Sequence, residues 1–214
     1  MMKRLEALAS TITPACVIAD VGCDHGIIAG YCAKSGLATR IIASDISAAC
    51  LDKARNALGE FDNVEFVCCD GIGYECDEAV IAGMGGLLIC EILDRANADG
   101  VLPSTLALLP HRNTDSVRRK LIELGYRIDK DFMTKDRGKI YSIIRAVKTS
   151  PAQRLTELQY LYGVFCAEKC DILAEYLINQ YRTYSVAPER NAKKLLNLRE
   201  CLRLQGVDVS ATDI

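Results

Sequence analysis

Short apolar runs alternate with longer amphipathic segments over most of the chain, from Cys16 to about Ala146. The apolar runs have the length of β-strands, and the segments between them place apolar residues three and four positions apart, as helices do. This alternation is typical of parallel βαβ units. The pattern therefore predicts an α/β domain built on a mostly parallel sheet.

The apolar runs predict seven strands: Val17–Val21, Arg40–Ser44, Val64–Cys68, Glu78–Ala82, Thr105–Leu109, Tyr126–Met133 and Lys139–Val147. The amphipathic segments predict four helices: Ile27–Lys34, Ser47–Leu58, Leu87–Ala98 and Asp115–Leu124. The polar segment Thr134–Gly138 between the last two strands is long enough for an antiparallel hairpin but not for a crossover helix. The expected fold is Rossmann-like, with a seven-stranded, mostly parallel sheet and a terminal antiparallel hairpin. By analogy between folds, that hairpin favours a class I methyltransferase over a nicotinamide-binding domain.

After Pro151 the apolar residues keep only helical spacing. Pro188 interrupts this pattern, and a shorter helix is predicted for Arg190–Leu204. We therefore predict two domains, the α/β domain in residues 1–150 and an all-α, helical or coiled-coil module in residues 151–214.

The composition is that of an ordinary globular protein. Half of the 214 residues are apolar, which is enough to bury a sizeable core. No stretch approaches the roughly 20 apolar residues that span a bilayer. The formal net charge of −2 gives no global sign of a polyanionic partner but leaves room for a local basic patch. We expect a cytoplasmic protein without membrane contact, either a monomer or a weak homodimer.

The cysteine pattern argues against disulfides and against a metal site. The chain has 11 cysteines, and many lie inside strand-like or helical runs rather than in loops, so reduced and mostly buried thiols are expected. No C-x-x-C spacing occurs, and the neighbours Cys68 and Cys69 would point to opposite faces of a strand. No bound metal is expected.

Candidate chemistry is concentrated where the predicted strands end. Gly22 and Gly26 bound a sharp turn after the first strand, where glycine lets the backbone approach a ligand closely. Asp24 stands where a dinucleotide-binding turn has its second glycine, and its charge would repel a pyrophosphate. Asp45 and Asp70 end the next two strands, where carboxylates accept hydrogen bonds from ribose hydroxyls and from an adenine amine. Each acid alone has a helix cap as its less favoured alternative, but together with the turn the two acids indicate an adenosyl cofactor without phosphates.

Asp20, near the end of the first strand, has two interpretations. Its carboxylate either contacts the ammonium group of a cofactor that carries an amino acid, or accepts backbone N–H bonds and orients the turn. The sequence leaves both open.

Five motifs follow one another along the chain: Ala19–Gly26, Ala43–Ile46, Asp70–Gly71, Ile81–Gly86 and Gly138–Tyr141. With these motifs and its helical last part, the chain closely resembles the bacterial tRNA (adenine(22)-N(1))-methyltransferase family over nearly its whole length. The fourth motif is the most specific, because many other adenine N-methyltransferases carry an Asn/Asp-Pro-Pro-aromatic motif there. The resemblance implies methyl transfer from S-adenosyl-L-methionine to N1 of adenosine 22 in tRNA, with S-adenosyl-L-homocysteine as the second product.

The resemblance also implies roles for individual residues. Asp24 and His25 are the catalytic candidates, placed to stabilise positive charge on the product ring or to accept its N6 proton. Alternatively, Asp24 caps the following helix and His25 is a packed turn residue. The cofactor-binding candidates are Asp20, Gly22, Cys23, Gly26, Asp45, Ile46, Asp70, Gly71, Ala82, Gly83 and Met84.

Contacts to the substrate base are expected at Gly85 and Gly86, where glycine would let the base slide against the backbone, although a plain tight turn is the alternative. The sequence departs from the family at Leu109-Pro110-His111, which stands where the family usually has Gln-Pro-Asn. His111 or Asn113 replaces the missing amide, or Pro110 simply ends the strand.

Contacts to the tRNA backbone are expected from cations of the last helix, several of which share the face opposite its leucines, although solvated surface is the alternative. They are Arg190, Lys193, Lys194, Arg199 and Arg203, with the first three as the main candidates. A second basic patch is expected from Arg112, Arg118, Arg119, Lys120, Lys135, Arg137 and Lys139. Two other functions stay open. One is a methyltransferase for another RNA site or a small molecule, with a dimerising tail, and the other is a binding module for S-adenosylmethionine or RNA without catalysis.

Overall fold

The computed structural model describes residues 2–151 and 153–209, and in this part of the chain seven strands form one sheet in the order β3-β2-β1-β4-β5-β7-β6. The strands are β1 (Ala15–Val21), β2 (Ala38–Asp45), β3 (Val64–Cys68), β4 (Glu78–Met84), β5 (Thr105–Pro110), β6 (Tyr126–Asp136) and β7 (Lys139–Lys148). The first five are parallel, and β7 runs antiparallel to both β5 and β6. The predicted Rossmann-like sheet with its terminal hairpin is confirmed.

Helices cover both faces of the sheet and bury one core on each side. They are α1 (Lys3–Ala9), α2 (Ile27–Lys34), α3 (Ala48–Leu58), α4 (Gly86–Ala98) and α5 (Thr114–Glu123). One core joins α1, α2 and α3 to the sheet, and the other joins α4 and α5 to it. Because the central strands are covered on both faces, they consist of nearly continuous apolar residues.

Helix boundaries follow from local signals in most cases. Ser47 caps α3 by accepting a hydrogen bond from the N–H of Cys50 at 3.3 Å, as its position predicted. The sequence did not predict α1, which is only 7 residues long and contributes Leu5 and Leu8 to the core.

After Pro151, the described residues form three helices, α6 (Glu157–Tyr162), α7 (Asp171–Ser185) and α8 (Pro188–Leu204), which share a third apolar cluster. The predicted helical pattern after Pro151 is broken by residues 163–170, which are not helical. Pro188 begins α8 instead of only interrupting the pattern, since proline fits the first helical position, where no N–H is needed.

A buried ion pair joins these helices to the sheet domain. Arg118 of α5 donates two hydrogen bonds to the carboxylate of Asp131 on β6, at 2.7 and 3.0 Å, and a third to the backbone oxygen of Tyr160 in α6 at 2.9 Å. Asp131 also accepts from the N–H of Val164 at 2.9 Å. The expectation that Arg118 belongs to a basic surface patch was wrong, because its side chain is only 1% exposed.

Among the described residues, none of the helices combines the length and the apolar character required to cross a membrane.

Candidate active site

The turn after β1 is held against the end of β2. The N–H groups of Gly22 and Cys23 both donate to the backbone oxygen of Ser44, at 2.8 and 2.9 Å. Three residues of the turn have positive φ: Gly22 (71°), Asp24 (46°) and Gly26 (68°). This left-handed backbone is the reason for glycine at two of these positions, and aspartate tolerates it better than most residues.

Asp45 supports the same turn from the end of β2. One carboxylate oxygen accepts the N–H of Asp24 at 3.2 Å, and the other accepts the N–H of Ser47 at 2.8 Å. The carboxylate is half-buried, and the next side chain, Ile46, is 69% exposed. A carboxylate beside a bare apolar side chain suits a ribose with an adenine ring next to it.

Asp20 lies beneath the turn. Its residue is 4% exposed, and its carboxylate accepts the N–H of Ala29 in α2 at 3.0 Å. Burial, with a smaller contribution from the charge of Asp45, raises the pKa of Asp20 to about 7. These contacts favour the orienting role over the ammonium contact. Cys23 is also buried, with its side chain in the core, so it supports the turn from below.

Asp70 and Gly71 follow the third strand, as predicted, but Asp70 has a partner that the sequence did not indicate. Arg95, near the end of α4, donates to its carboxylate at 2.9 Å, and both side chains are exposed. Gly71, with a φ of 89°, faces α4, where a Cβ atom would lie 3.2 Å from Ile92. The pair leaves Asp70 able to accept a further hydrogen bond, since a carboxylate has several lone pairs.

The glycine-rich end of β4 lies beside the turn. The register between β4 and β5 shifts between Ala82 and Met84, and Gly83 at this irregularity has a φ of 79° and open space where a Cβ would stand. The Met84 side chain reaches over Gly22, where an added Cβ would lie 2.1 Å from its methyl carbon. Met84 and Gly22, two of the cofactor-binding candidates, are therefore in contact.

Gly85 and Gly86 differ in what surrounds them. A Cβ at Gly86 would lie 2.4 Å from the backbone oxygen of Asn113, and its N–H donates to the oxygen of Arg112 at 2.9 Å. Glycine is needed there because the loop after β5 packs against the start of α4, so Gly86 is not free to contact a base. Gly85 is half-buried, with the Arg112 side chain 3.6 Å from the position of its Cβ.

Asp24 and His25 are the open side chains of the turn. They are 59% and 58% exposed, and the carboxylate of Asp24 lies 3.7 Å from Nε2 of His25. The residue that caps α2 is Gly26, so Asp24 does not cap this helix and His25 is not packed in a core. Both are therefore accessible to a substrate.

His111 lies beside the glycine-rich turn, because its N–H donates to the backbone oxygen of Met84 at 2.9 Å. Its ring contacts Tyr141 of β7 with centroids 5.8 Å apart. Partial burial, with the neighbouring cations Arg4 and Lys139, lowers the pKa of His111, so the imidazole is neutral at neutral pH. Tyr141 belongs to one of the motifs found in the sequence. Its contact with His111 was not predictable from the sequence, because it depends on how β7 pairs with β5.

A cleft of about 820 Å³ separates the loop after β5 from the helical module. Pro110, His111 and Asn113 lie on one wall, with Ile140–Ser142 beside them. Three cations from α8 lie on the other: Arg190, Lys193 and Lys194. The structure thus brings Pro110, His111 and Asn113 into the lining of the same cleft as the predicted phosphate-binding residues, whereas Gly85 and Gly86 do not line it.

The second predicted basic patch does not form as a unit. Besides the buried Arg118, three of its members are paired with carboxylates: Arg119 with Glu157, Lys120 with Asp94 and Glu123, and Lys135 with Glu175. Arg112, Arg137 and Lys139 have no carboxylate partner among the described residues.

All 11 cysteines are free thiols, although some of them, Cys16 among them, are exposed rather than buried. Within residues 2–151 and 153–209, no group of three or more His, Cys, Asp or Glu side chains is arranged to hold a metal ion.

Comparisons with known proteins identify the family of this chain. A family defined as a methyltransferase domain matches residues 1–144. A Mycoplasma pneumoniae protein, provisionally named a tRNA methyltransferase, is 32% identical over 172 residues, which cover 76% of this chain and 79% of the relative. The tRNA (adenine(22)-N(1))-methyltransferase of Bacillus subtilis is 28% identical over 153 residues, covering 68% and 64% of the two chains.

The same fold occurs in a Streptococcus pneumoniae protein, provisionally named a tRNA (m1A22) methyltransferase and solved in complex with S-adenosyl-L-methionine. Its TM-score is 0.87 at 22% identity, and the match covers 94% of this chain and all 100% of the other. Since the family match spans well over half of the sequence, the chain belongs to the methyltransferase domain family, and its relatives there are bacterial tRNA methyltransferases, as its motifs predicted.

Proposed function

We propose that this protein transfers a methyl group from S-adenosyl-L-methionine to N1 of adenosine 22 in tRNA. The observation that carries the proposal is the cleft of about 820 Å³ that joins the loop beside the glycine-rich turn to three cations of α8. A small-molecule methyltransferase does not need a cleft lined by three cations, whereas a nucleic acid is positioned by contacts between cations and its phosphates. The tRNA-methylating relatives support the same substrate.

The residues at the strand ends fit the cofactor. Asp45 would accept hydrogen bonds from the ribose, and Ile46 would cover one face of the adenine. Asp70 would accept a hydrogen bond from the adenine amine. Gly83, with open space at its Cβ position, would leave room for the amino-acid portion. When bound, S-adenosyl-L-methionine supplies an electrophilic methyl group on a sulfonium centre. The turn fits a cofactor without phosphates, because the charge of Asp24 would repel a pyrophosphate.

The chain's own contribution to the reaction is positioning and electrostatics. N1 of adenine already has a nucleophilic lone pair, so no covalent enzyme intermediate is needed, and correct placement supplies most of the acceleration. The open carboxylate of Asp24 would stabilise the positive charge that the ring gains, and His25 beside it would accept the N6 proton. Neutral His111 would lie at the edge of the base, where the family has an asparagine.

The proposed division of labour follows the two predicted domains. Residues 1–150 bind the cofactor and carry out the transfer, and residues 151–214 bind the tRNA backbone through Arg190, Lys193 and Lys194. The adenosine is presented out of its stack, as in other enzymes that modify a base. With tRNA as its substrate, the protein works in the cytoplasm.

Labelled cofactor and unmodified tRNA transcripts test this proposal. We expect methyl transfer to the transcript with adenosine at position 22 and none to a matched A22G transcript. Equal labelling of both transcripts would point to another RNA site, and labelling of neither to a small-molecule substrate or a binding module without catalysis. Cofactor affinity, measured in parallel by calorimetry, separates a binding module from an inactive preparation.

A further inference from the structure

The β6–β7 hairpin extends beyond the sheet on the side of the proposed active site. Pairing between β5 and β7 ends where Leu108 lies opposite Ile144, but β6 and β7 remain paired as far as Asp136 and Lys139. Because β7 is antiparallel to β5, this extension projects past the carboxyl end of β5, where parallel α/β sheets bind their ligands. Arg137 and Gly138, with φ values of 50° and 77°, form the two-residue turn at its end.

The end of the hairpin is held on two sides. Arg4 of α1 donates to the carboxylate of Asp136 at 2.9 Å, and its guanidinium lies 5.1 Å from the ring centre of Tyr141. On the other side, Lys135 donates to Glu175 of α7 at 2.6 Å. These contacts join the extension to both the sheet domain and the helical module, so it forms a braced support rather than a loose loop.

The hairpin end borders the proposed methyl-transfer site. Lys3 and Ile27 line one cavity together with residues 135–138, and Ile27 directly follows Gly26 of the cofactor turn. Farther along the hairpin, Tyr141 contacts His111 and lines the cleft. The extension therefore lines both the cavity beside the cofactor turn and the cleft.

Three exposed cations surround this end of the hairpin: Lys3, Arg137 and Lys139. Within the described residues none of them lies within 4 Å of a carboxylate, whereas the neighbouring Arg4 and Lys135 are both paired. We call Lys3, Arg137 and Lys139 the hairpin cations. In a chain with a net charge of −2, three free cations at the edge of an active site form a local positive field.

We propose that the hairpin cations bind backbone phosphates of the tRNA next to the target nucleotide, on the other side of the site from α8. The inference rests on the proposed function, which it extends from one phosphate-binding surface to two. Taking a base out of its stack rotates its nucleotide about the backbone, and the phosphates on either side must be held while this happens. A braced hairpin with free cations and the cations of α8 would supply those two holds.

The test compares two double variants of the same hairpin. Arg137→Gln with Lys139→Gln removes charge at the tip. Arg127→Gln with Lys130→Gln removes the same charge from exposed residues near its other end, which have no carboxylate partner in the described part of the chain. Binding of unmodified tRNA is measured over a range of salt concentrations. We expect the tip variant to reduce the slope of log K against log salt by about 1.5, since each lost phosphate contact contributes about 0.7 to 0.9. The control variant keeps the wild-type slope.

Two further measurements keep the result unambiguous. Arg137→Lys with Lys139→Arg retains the charges and should restore the wild-type slope, and cofactor affinity and melting temperature should be unchanged in all variants. A wild-type slope in the tip variant, or an equal loss in the control, overturns the proposal. Binding is measured without turnover, so the two proposals are tested separately. A failure to methylate position 22 would refute the proposed function, and the salt slopes would still decide whether the hairpin cations bind tRNA.

Discussion

At the scale of single residues, the side chains near the strand ends divide into two groups. Asp20 and Cys23 are buried and hold the turn, and Gly86 makes room for a neighbouring loop. Asp24 and His25 are open. The sequence located all of these residues, because an apolar run fixes where a strand ends. It did not separate the two groups, since burial depends on the helices that pack above.

The first prediction at this scale concerns Asp20. Its pKa in the folded protein is about 7, well above the usual 3.8, so the folded state binds a proton more tightly than the unfolded state between these values. Its contribution to stability is therefore full below about pH 4 and is lost as the pH rises through 7. Asp20→Asn stays neutral and keeps an oxygen for the N–H of Ala29.

Urea unfolding at pH 5 and pH 8 measures this contribution. The free energy of unfolding of the wild type, relative to Asp20→Asn, should fall by about 2 kcal/mol from the lower to the higher pH. A difference between the two proteins that does not change with pH would show that Asp20 does not titrate in this range.

The second prediction concerns Asp24. Asparagine tolerates the positive φ of this position, and the backbone N–H that donates to Asp45 is kept in Asp24→Asn. We expect unchanged cofactor affinity by calorimetry and a single-turnover rate at least tenfold lower, because this variant lacks the charge that we propose stabilises the methylated ring. A wild-type rate would remove Asp24 from the catalytic step.

At the scale of elements, periodicity was sufficient for the sheet, including its terminal hairpin, and for α2 to α5, but not for the short helix α1. Partnerships between elements were not predictable. Arg95 and Asp70 meet only because α4 packs beside the end of β3, and nothing in their spacing indicates it. Arg118 looked like a surface cation in the sequence, but Asp131 and the end of α6 enclose it. Such contacts depend on the packing of distant segments.

The third prediction concerns the ion pair of Arg118 and Asp131. Arg118→Met leaves a buried carboxylate without its partner, and we expect a loss of about 3 to 5 kcal/mol in the free energy of unfolding. Arg118→Met with Asp131→Leu removes both charges, and it should be closer to the wild type than the single variant. Urea unfolding of the four proteins of this cycle measures the coupling. A double variant less stable than Arg118→Met would contradict this account.

At the scale of the whole molecule, the sheet domain and the helical module face each other across the cleft. The sequence identified the cations of α8 as candidates, and the structure places Arg190, Lys193 and Lys194, but not Arg199 or Arg203, along the cleft. Arg199 instead donates to the hydroxyl of Tyr181 at 2.9 Å. Helical spacing predicts which cations share a face of α8. The packing of α8 against α7 decides which of these cations line the cleft.

The fourth prediction follows from this arrangement. Replacing Arg190, Lys193 and Lys194 with glutamine should weaken tRNA binding and reduce its salt slope by about 2, with unchanged cofactor affinity. Arg182→Gln with Arg203→Gln is the control, since both residues are exposed and lie away from the cleft. An equal loss of slope per charge in both proteins would mean that the cations act through general attraction rather than through the cleft.

The most direct test of the central claim is to locate and identify the methyl group. An unmodified tRNA transcript is incubated with the protein and S-adenosyl-L-methionine, and its fragments and nucleosides are analysed by mass spectrometry. The account predicts one N1-methyladenosine, at position 22. A methyl group at another position, or on N6 of the same adenosine, would contradict it.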